Sequence, residues 1–421
     1  MTKKVSVWLA VGMVIAAVTV TFLCTLLLGG SLVHASDSVP VAEAITTAVA
    51  AEKEVTPSDI TARVSSKIAE LAYYYSKYYV GDIDVDDLVE GAAEGFVAYS
   101  GDKYGQYHTK EEYKLLKDEY SGSFCGIGVS VVYNSNYGAI EILNVIKDSP
   151  ALESGLLPDD LIIKVDGEDV AFLGYNEALA RVRGEEGTTV TLTIARGDKY
   201  SEIFNVTLTR RPIIEQTVVY SEIETDFLSK PIAHISITSF NDQTPEQFKE
   251  AIGDGLTNKV HGYVIDLRNN GGGTLSSVVS MLDMLLPEGP IVRIQYKDGT
   301  ETVYESGKSS FNQPIVLLIN GNTASAAELF TAALRDYGKA FIVGENSYGK
   351  GTVQQIISLR DGSALRLSTS MYAPPFSDNF EGKGVAPDIT VSLADEYKRT
   401  NLFNLAIEND AQLQAALNLF K

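Results

Sequence analysis

Hydrophobic and polar positions change period several times along the chain, and each change predicts a boundary. No charged residue interrupts the 26 positions from Val5 to Gly30, and about 20 apolar residues suffice for a helix to cross a bilayer. Residues 1–35 are therefore expected to form a transmembrane anchor or a signal segment. Residues 36–57, rich in Ala, Val and Thr with Pro40 and Pro57, read as a linker. Apolar residues then recur at helical spacing in "PSDITARVSSKIAELAYYYSKYYV", with Ser58 or Asp59 as its cap, and in "DVDDLVEGAAEGFVAYSG" and "TKEEYKLLKDEYSG". This predicts a helical region over 58–120. Its tyrosines (Tyr73, Tyr74, Tyr75, Tyr78 and Tyr79) are too dense for one buried face, so they form either an exposed ring or a subunit interface, where tyrosine is enriched.

From Gly122 the period shortens. "GIGVSVVY", "AIEILNVI", "DLIIKVDG" and "TVTLTIAR" are short β-branched runs bounded by Gly, Asp or Pro, with helix-like "YNEALARVRG" between the last two. They predict a mostly β module over 121–212. Over 213–395, apolar runs such as "IAHISIT", "GYVIDLR" and "PIVLLIN" alternate with helical stretches such as "PEQFKEAIGDGL" and "ASAAELFTAALRD". Such alternation argues for βα units around a buried sheet. "TVQQIISLRDGSALRLSTSMY" reads as a hairpin turning at Asp361-Gly362, and residues 396–421 read as one amphipathic helix. The fold class expected is α+β and multidomain.

Length and charge restrict the function. A chain of 421 residues suggests two or three domains. The net charge is −21 with no basic patch, which argues against a nucleic-acid partner. Lys3 and Lys4 precede the apolar run, so the N-terminus stays cytoplasmic and the rest of the chain lies outside the cytoplasm. The run is longer than a cleaved signal usually needs, which favours an uncleaved single-pass anchor. Cleavage after Ala35, in "LVHASD", is the alternative. Cys24 lies within the apolar run, so no disulfide with Cys125 is expected. The four histidines show no metal-ligand spacing.

Three stretches carry candidate chemistry. In "NGNTASAAELF", Ser325 stands where a strand turns into a helix. The plain reading is a helix cap. A serine there also faces free N–H groups and a positive dipole end, which suit a developing oxyanion. It then needs a base. "NSYGKGTVQQ" offers Lys350 between two glycines, otherwise a solvated loop lysine. A lysine serves as base only if burial strips its proton. If the stretch is extended, Gln354 shares a face with Lys350 and can orient it. "GENSYGK" also matches the start of a phosphate loop, but Gly351 stands where Ser or Thr is required and a strand follows. "YVIDLRNNGGGTLSS" brings Gly271, Gly272 and Gly273 to a strand end, as a tight turn, a phosphate cradle or an oxyanion hole.

Taken together, "DLRNNGGG", "NGNTASAAE" and "SYGKGTVQ", in this order, resemble the C-terminal processing peptidases, which use a Ser–Lys dyad. "GKGVAPDI" resembles the closing motif of that family, and the resemblance covers residues 60–395. It implies Ser325 as nucleophile, Lys350 as general base and Gln354 as the residue orienting the lysine. Gly272 and the amide of Ala326 would form the oxyanion hole. The β module resembles a PDZ domain whose carboxylate-binding loop is Cys125, Gly126, Ile127 and Gly128. Arg183 matches a position that couples this module to the active site. The core resembles crotonase-like βα folds. Substrates would be proteins or peptides with a free C-terminus, docked as an added strand; no cofactor or metal is implied, and the helical ends suggest a homodimer. After "STSMY" the family usually has Thr-Pro, whereas this chain has "APPFSDNF". The competing class is a catalytically inactive PDZ scaffold. An acyl-CoA enzyme of crotonase type fits an extracytoplasmic PDZ protein less well.

Overall fold

The computed structural model describes residues 56–307, 311–398, 400, 402 and 405–421. The expected membrane segment lies outside them, and no helix among the described residues is long and apolar enough to cross a membrane. The described residues up to Asp84 form a separate unit. Within it, helix α1 (Pro57–Tyr78) is capped by Thr56, not by Ser58 or Asp59. Thr56 accepts from the Asp59 N–H while the Asp59 carboxylate accepts from the Thr56 N–H, and Pro57 takes the first helical position. Proline fits there because that N–H has no helical partner. None of its residues is buried.

The second unit opens with α2 (Val85–Ala98), strand β1 (Gln106–His108) and α3 (Lys110–Ser121). The region read as helical thus contributes a strand. The β module follows: β2 (Ser123–Gly126), β3 (Val129–Asn134), β4 (Ala139–Val145), β5 (Leu161–Val165), α4 (Tyr175–Val182), β6 (Thr189–Arg196), β7 (Glu202–Thr209) and β8 (Arg211–Ile214). Its sheet runs β3-β4-β5-β6-β7, while β2 and β8 pair antiparallel and bring the two ends of the module together. Alternate residues such as Ile140, Ile142, Leu192 and Ile194 point into one core, the period-2 signature of a half-buried sheet.

The remaining core has two sheets. The larger contains β9 (Val218–Ile223), β10 (Ile232–Ile237), β11 (Tyr263–Asp266), β14 (Ile315–Ile319), β15 (Ala340–Gly344) and β18 (Ile389–Thr390), in that order, parallel except for β9. Helices α5 (Thr244–Thr257), α6 (Leu275–Leu285) and α7 (Ala326–Asp336) cover one face. The C-terminal helix α8 (Ala411–Asn418) covers the other with Leu413, Ala416 and Leu417. A sheet covered on both faces needs unbroken apolar strands, and all of β14 is buried. The second sheet joins β1, β17 (Ala364–Ala373), β12 (Gly289–Tyr296) and β13 (Glu301–Ser306), with β16 (Thr352–Ser358) also on β17. The β16–β17 hairpin turns at Asp361-Gly362 as expected, with Gly362 at φ 96°. The tail is not one helix. Asp410 caps α8 by accepting from the Leu413 N–H, so the helix starts only at Ala411.

Candidate active site

Ser325 is raised on a tight turn between β14 and α7. Its backbone sits at φ 58°, ψ −121°, a conformation that a residue with a Cβ rarely adopts and that concentrates at functional sites. The turn is cross-tied to the glycine loop. Asn320 and Asn322 side-chain amides donate to Asn269 Oδ1 at 2.8 and 3.0 Å, and Thr323 donates to the Leu267 carbonyl at 2.8 Å. The strand-end loop and the serine turn are therefore one rigid piece.

Gly272, at φ 103°, touches the serine turn so closely that a Cβ would lie 2.8 Å from Ser325 Cβ and 3.0 Å from Ala326 N. Only glycine fits. Its own N–H, however, donates to Asn270 Oδ1 at 2.8 Å. The N–H groups of Gly273 and Ala326 have no partner among the described residues, and both residues line a cleft of about 250 Å³ with Ser325, Gln354 and Tyr372. Ala326 opens α7, so its N–H is one of the unsatisfied donors of a helix start.

Glu328 joins the serine to the lysine. Its carboxylate is buried within α7 and accepts from the N–H of Ser325 and the N–H of Lys350, both at 2.8 Å, from the N–H of Gly349 at 2.6 Å and from the Ser347 hydroxyl at 2.5 Å. A buried carboxylate is tolerated when hydrogen bonds satisfy its oxygens. The capping-box spacing of "SAAE" is the sequence signal that points to it.

The structure places Ser325 and Gln354 on one cleft, which Lys350 does not line, and it does not join the three side chains. No hydrogen bond among the described residues links the Lys350 amine to Ser325 or Gln354. The amine lies over the ring of Tyr104, 5.0 Å from its centroid. Burial pushes the Lys350 pKa down and the Arg366 charge adds to this, while Glu381, Glu328 and Asp102 oppose it. The Tyr372 hydroxyl lies 3.2 Å from Ser325 Oγ and 2.8 Å from the Lys350 carbonyl oxygen, to which it donates. Burial keeps that phenol protonated, pushing its pKa well up despite the Ser325 contact. Gln354 donates to the Thr352 hydroxyl at 2.9 Å and carbonyl at 3.1 Å. The face-sharing expected of positions 350 and 354 does not hold as stated. β16 begins only at Thr352, and a bulge at Val353/Gln354 shifts the register. Gln354 still faces the cleft, while Gln355 is exposed.

Beside the glycine loop, Arg268 is buried and donates to both oxygens of Asp266 and both of Asp410, at 2.6–3.1 Å. Burial alone would push the Asp266 carboxyl up; Arg268 and His234 outweigh it and hold the group well below the usual carboxylate range.

The β module has a groove of about 250 Å³ between β3 and α4, lined by Ile127, Val129, Val131, Tyr175, Leu179 and Val182. The N–H groups of Ile127 and Gly128 at its end have no partner among the described residues. Of the loop residues singled out in the sequence, Cys125 and Gly126 belong to β2; Gly126 reaches the groove and Cys125 does not. Burial pushes the Cys125 thiol pKa up, which disfavours the thiolate form. Arg183 also lines the groove, with its guanidinium 4.6 Å over the Phe124 ring. Glu215 faces the same groove and accepts from the Asn241 amide of the larger core at 2.9 Å.

A strained serine at a helix start, a neighbouring glycine loop with open amides and a peptide-sized groove are features that a serine hydrolase acting on polypeptide chains requires. Comparison with known proteins agrees. Residues 231–391 match the model of peptidase family S41 and residues 125–208 that of the PDZ domain. The chain is 34% identical to the carboxy-terminal processing protease CtpA of Bacillus subtilis, over 85% of this chain and 76% of that one. It is 36% identical to the carboxy-terminal-processing protease of Bartonella bacilliformis, over 76% and 74%. The structure of an S41 protease from Bacteroides fragilis aligns with a TM-score of 0.50 at 17% identity, over 82% of this chain and 92% of that one, a likeness of fold. The chain belongs to peptidase family S41, among the carboxy-terminal processing serine proteases that carry a PDZ domain.

Proposed function

We propose that Ser325 is the nucleophile of this protease, Lys350 its general base and Gln354 the residue that orients the lysine amine. The single observation that carries the reading is the Glu328 carboxylate, which accepts from the N–H of both Ser325 and Lys350 at 2.8 Å. Both backbones are tied to one carboxylate oxygen, and burial favours the neutral amine that a base requires. The neutral Lys350 takes the Ser325 proton as Oγ attacks a substrate carbonyl. The ammonium then gives that proton to the departing amine, and water releases the acyl-enzyme. The N–H of Ala326 and the glycine loop stabilise the oxyanion, one such donor being worth about 3 kcal/mol. Gly272 is the donor expected from the sequence. Because its N–H is already committed to Asn270, the open N–H of Gly273 supports that neighbour as the working donor. Peptide hydrolysis by wild type, Ser325→Ala and Lys350→Ala tests the dyad: loss in both variants supports it, and equal cleavage by all three refutes it.

The substrate tail docks beside β3, its terminal carboxylate on the N–H groups of Ile127 and Gly128 and its last apolar side chain among Val129, Leu179 and Val182. Arg183 couples this groove to the core. Its Nε is buried without a partner among the described residues, and Glu215 continues from the groove to Asn241. Residues 1–35 anchor the protein in the membrane with the catalytic part outside the cytoplasm, the alternative being release by signal cleavage. The exposed stripe Ile60, Val64, Ile68 and Leu71 on α1, spaced as on one helix face, supports a homodimer, testable by the mass in solution of the wild type against Ile68→Glu.

A further inference from the structure

The loop of residues 101–105, between α2 and β1, is built around the Lys350 amine. Asp102 accepts from the Ser368 N–H at 2.8 Å and the Ser368 hydroxyl at 2.7 Å, which pins the loop to β17. Asp102 also accepts from the Tyr104 N–H at 3.0 Å. The Tyr104 hydroxyl donates to Glu381 Oε1 at 3.0 Å, and Glu381 Oε2 accepts from the Gly351 N–H at 2.6 Å, next to Lys350. Lys103 donates to the Tyr104 oxygen at 3.0 Å. Both ends of Tyr104 are thereby fixed, and its ring face is turned to the amine at 5.0 Å, within the range at which a ring quadrupole attracts a cation. The amine makes no hydrogen bond among the described residues, so the ring face is the partner that the structure gives it.

We propose that Tyr104 is a positioning residue for Lys350: its ring carries the amine in the resting enzyme, out of hydrogen bonding with Ser325, and releases it when substrate engages. The proposal rests on the reading of Lys350 as the general base. Tyr372 holds the other half of the resting arrangement, since its hydroxyl occupies Ser325 Oγ at 3.2 Å. The charged groups acting on the amine are Arg366 from β17, which repels it, and Glu381, Glu328 and Asp102, which attract it. Glu381 accepts from the Tyr104 hydroxyl at 3.0 Å and therefore tells Tyr from Phe at position 104, so the comparison of Phe with its fluorinated form isolates the contribution of the π face.

The test uses the full chain with Phe at position 104, or 3,4,5-trifluorophenylalanine, which keeps the shape and drains the ring face. The readouts are kcat/KM against pH on an unstructured peptide, with the melting temperature as a control for folding. Tyr104→Phe is expected to keep the acid limb of wild type, because the ring face remains. Fluorination is expected to move that limb down by about half a unit, which raises the rate on the acid side of the limb about threefold. A limb that does not move on fluorination overturns the proposal, as does a full shift already in Tyr104→Phe. Failure of the dyad is separable: it appears as a Lys350→Ala variant as active as wild type, whereas an inactive Lys350→Ala with an immobile limb in the ring series removes only the role of Tyr104.

Discussion

Glu328 and Lys350 meet through the backbone: the carboxylate of one accepts the N–H of the other at 2.8 Å, through the same oxygen that accepts the N–H of Ser325. The Ser325 turn follows β14 and the Lys350 loop follows β15, at the C-terminal ends of two adjacent parallel strands, and this carboxylate makes them one unit. Glu328→Gln replaces an acceptor with an NH₂ group facing N–H donors. Hydrogen bonds to a charged group are worth about 1.5–3 kcal/mol each, and a misplacement of about 1 Å can cost 10²-fold in rate. The variant is therefore expected to lose about 10²-fold or more in kcat and to melt earlier, with KM for a short peptide little changed. Full activity in Glu328→Gln contradicts the role assigned to it.

The buried lysine predicts a pH dependence with a definite sign. Its folded pKa lies below the unfolded value, so between the two the unfolded chain binds the extra proton and stability rises with pH. With Lys350 as the proposed base, activity needs the neutral amine, so kcat/KM is expected to fall as pH drops through the folded pKa. Lys350→Met is expected to be inactive yet to melt higher than wild type at pH 7, with the difference shrinking as pH rises toward the ordinary lysine range. A Lys350→Met that is less stable at pH 7 and indifferent to pH refutes the desolvated-lysine reading.

Asp410 supports the glycine loop from the far end of the chain. Removing it leaves the buried Arg268 with Asp266 and Gln412 alone, and breaking a buried pair costs about 3–5 kcal/mol. Asp410→Ala is expected to lose stability on this scale in urea titration and to lose kcat. Acid adds a second signature. The Asp266 carboxyl is held below its unfolded range, so its contribution is present above that range and disappears as pH falls through the folded value.

Groove occupancy is testable without touching the catalytic residues. Gly128 stands at φ 82° with Ser149 Cβ in the place a side chain would take. Gly128→Ala is expected to weaken binding of a peptide with a free apolar C-terminus at least tenfold. Amidating that peptide is expected to do the same to wild type. Equal affinity of acid and amide forms, measured by fluorescence anisotropy, contradicts carboxylate capture at Ile127 and Gly128.

Much of this arrangement is legible in the sequence. The buried sheet shows because Ile315–Ile319 is an unbroken apolar run, whereas Ser325 alone reads as a helix cap and stands out only through the resemblance that three ordered motifs carry together. The hairpin of β12 and β13 is harder to read, although its turn at Asp298-Gly299 is the expected signal, with Gly299 at φ 83°. Apolar residues on only one face leave a weaker pattern than a doubly covered sheet does. Glu328 shows only as the acidic end of a capping-box pattern, which marks a helix start and not a tie to the lysine loop, and Tyr372 and Tyr104 carry no local pattern that separates them from ordinary strand and loop residues. Their roles arise from contacts across 22, 47 and 246 positions, of which the first two are hydrogen bonds and the last a cation over a ring. The Asp410 cap, which starts a new helix late in the tail, is hidden because the apolar spacing continues through it.

The separation of Lys350 Nζ from Ser325 Oγ in a complex with a peptide boronate bonded to Ser325 decides the mechanism most directly. The dyad predicts about 3 Å, within hydrogen-bond reach, with the amine lifted from Tyr104 and the Gln354 amide turned toward it. A boronate bonded to Ser325 while the amine still rests on the Tyr104 ring contradicts Lys350 as the base.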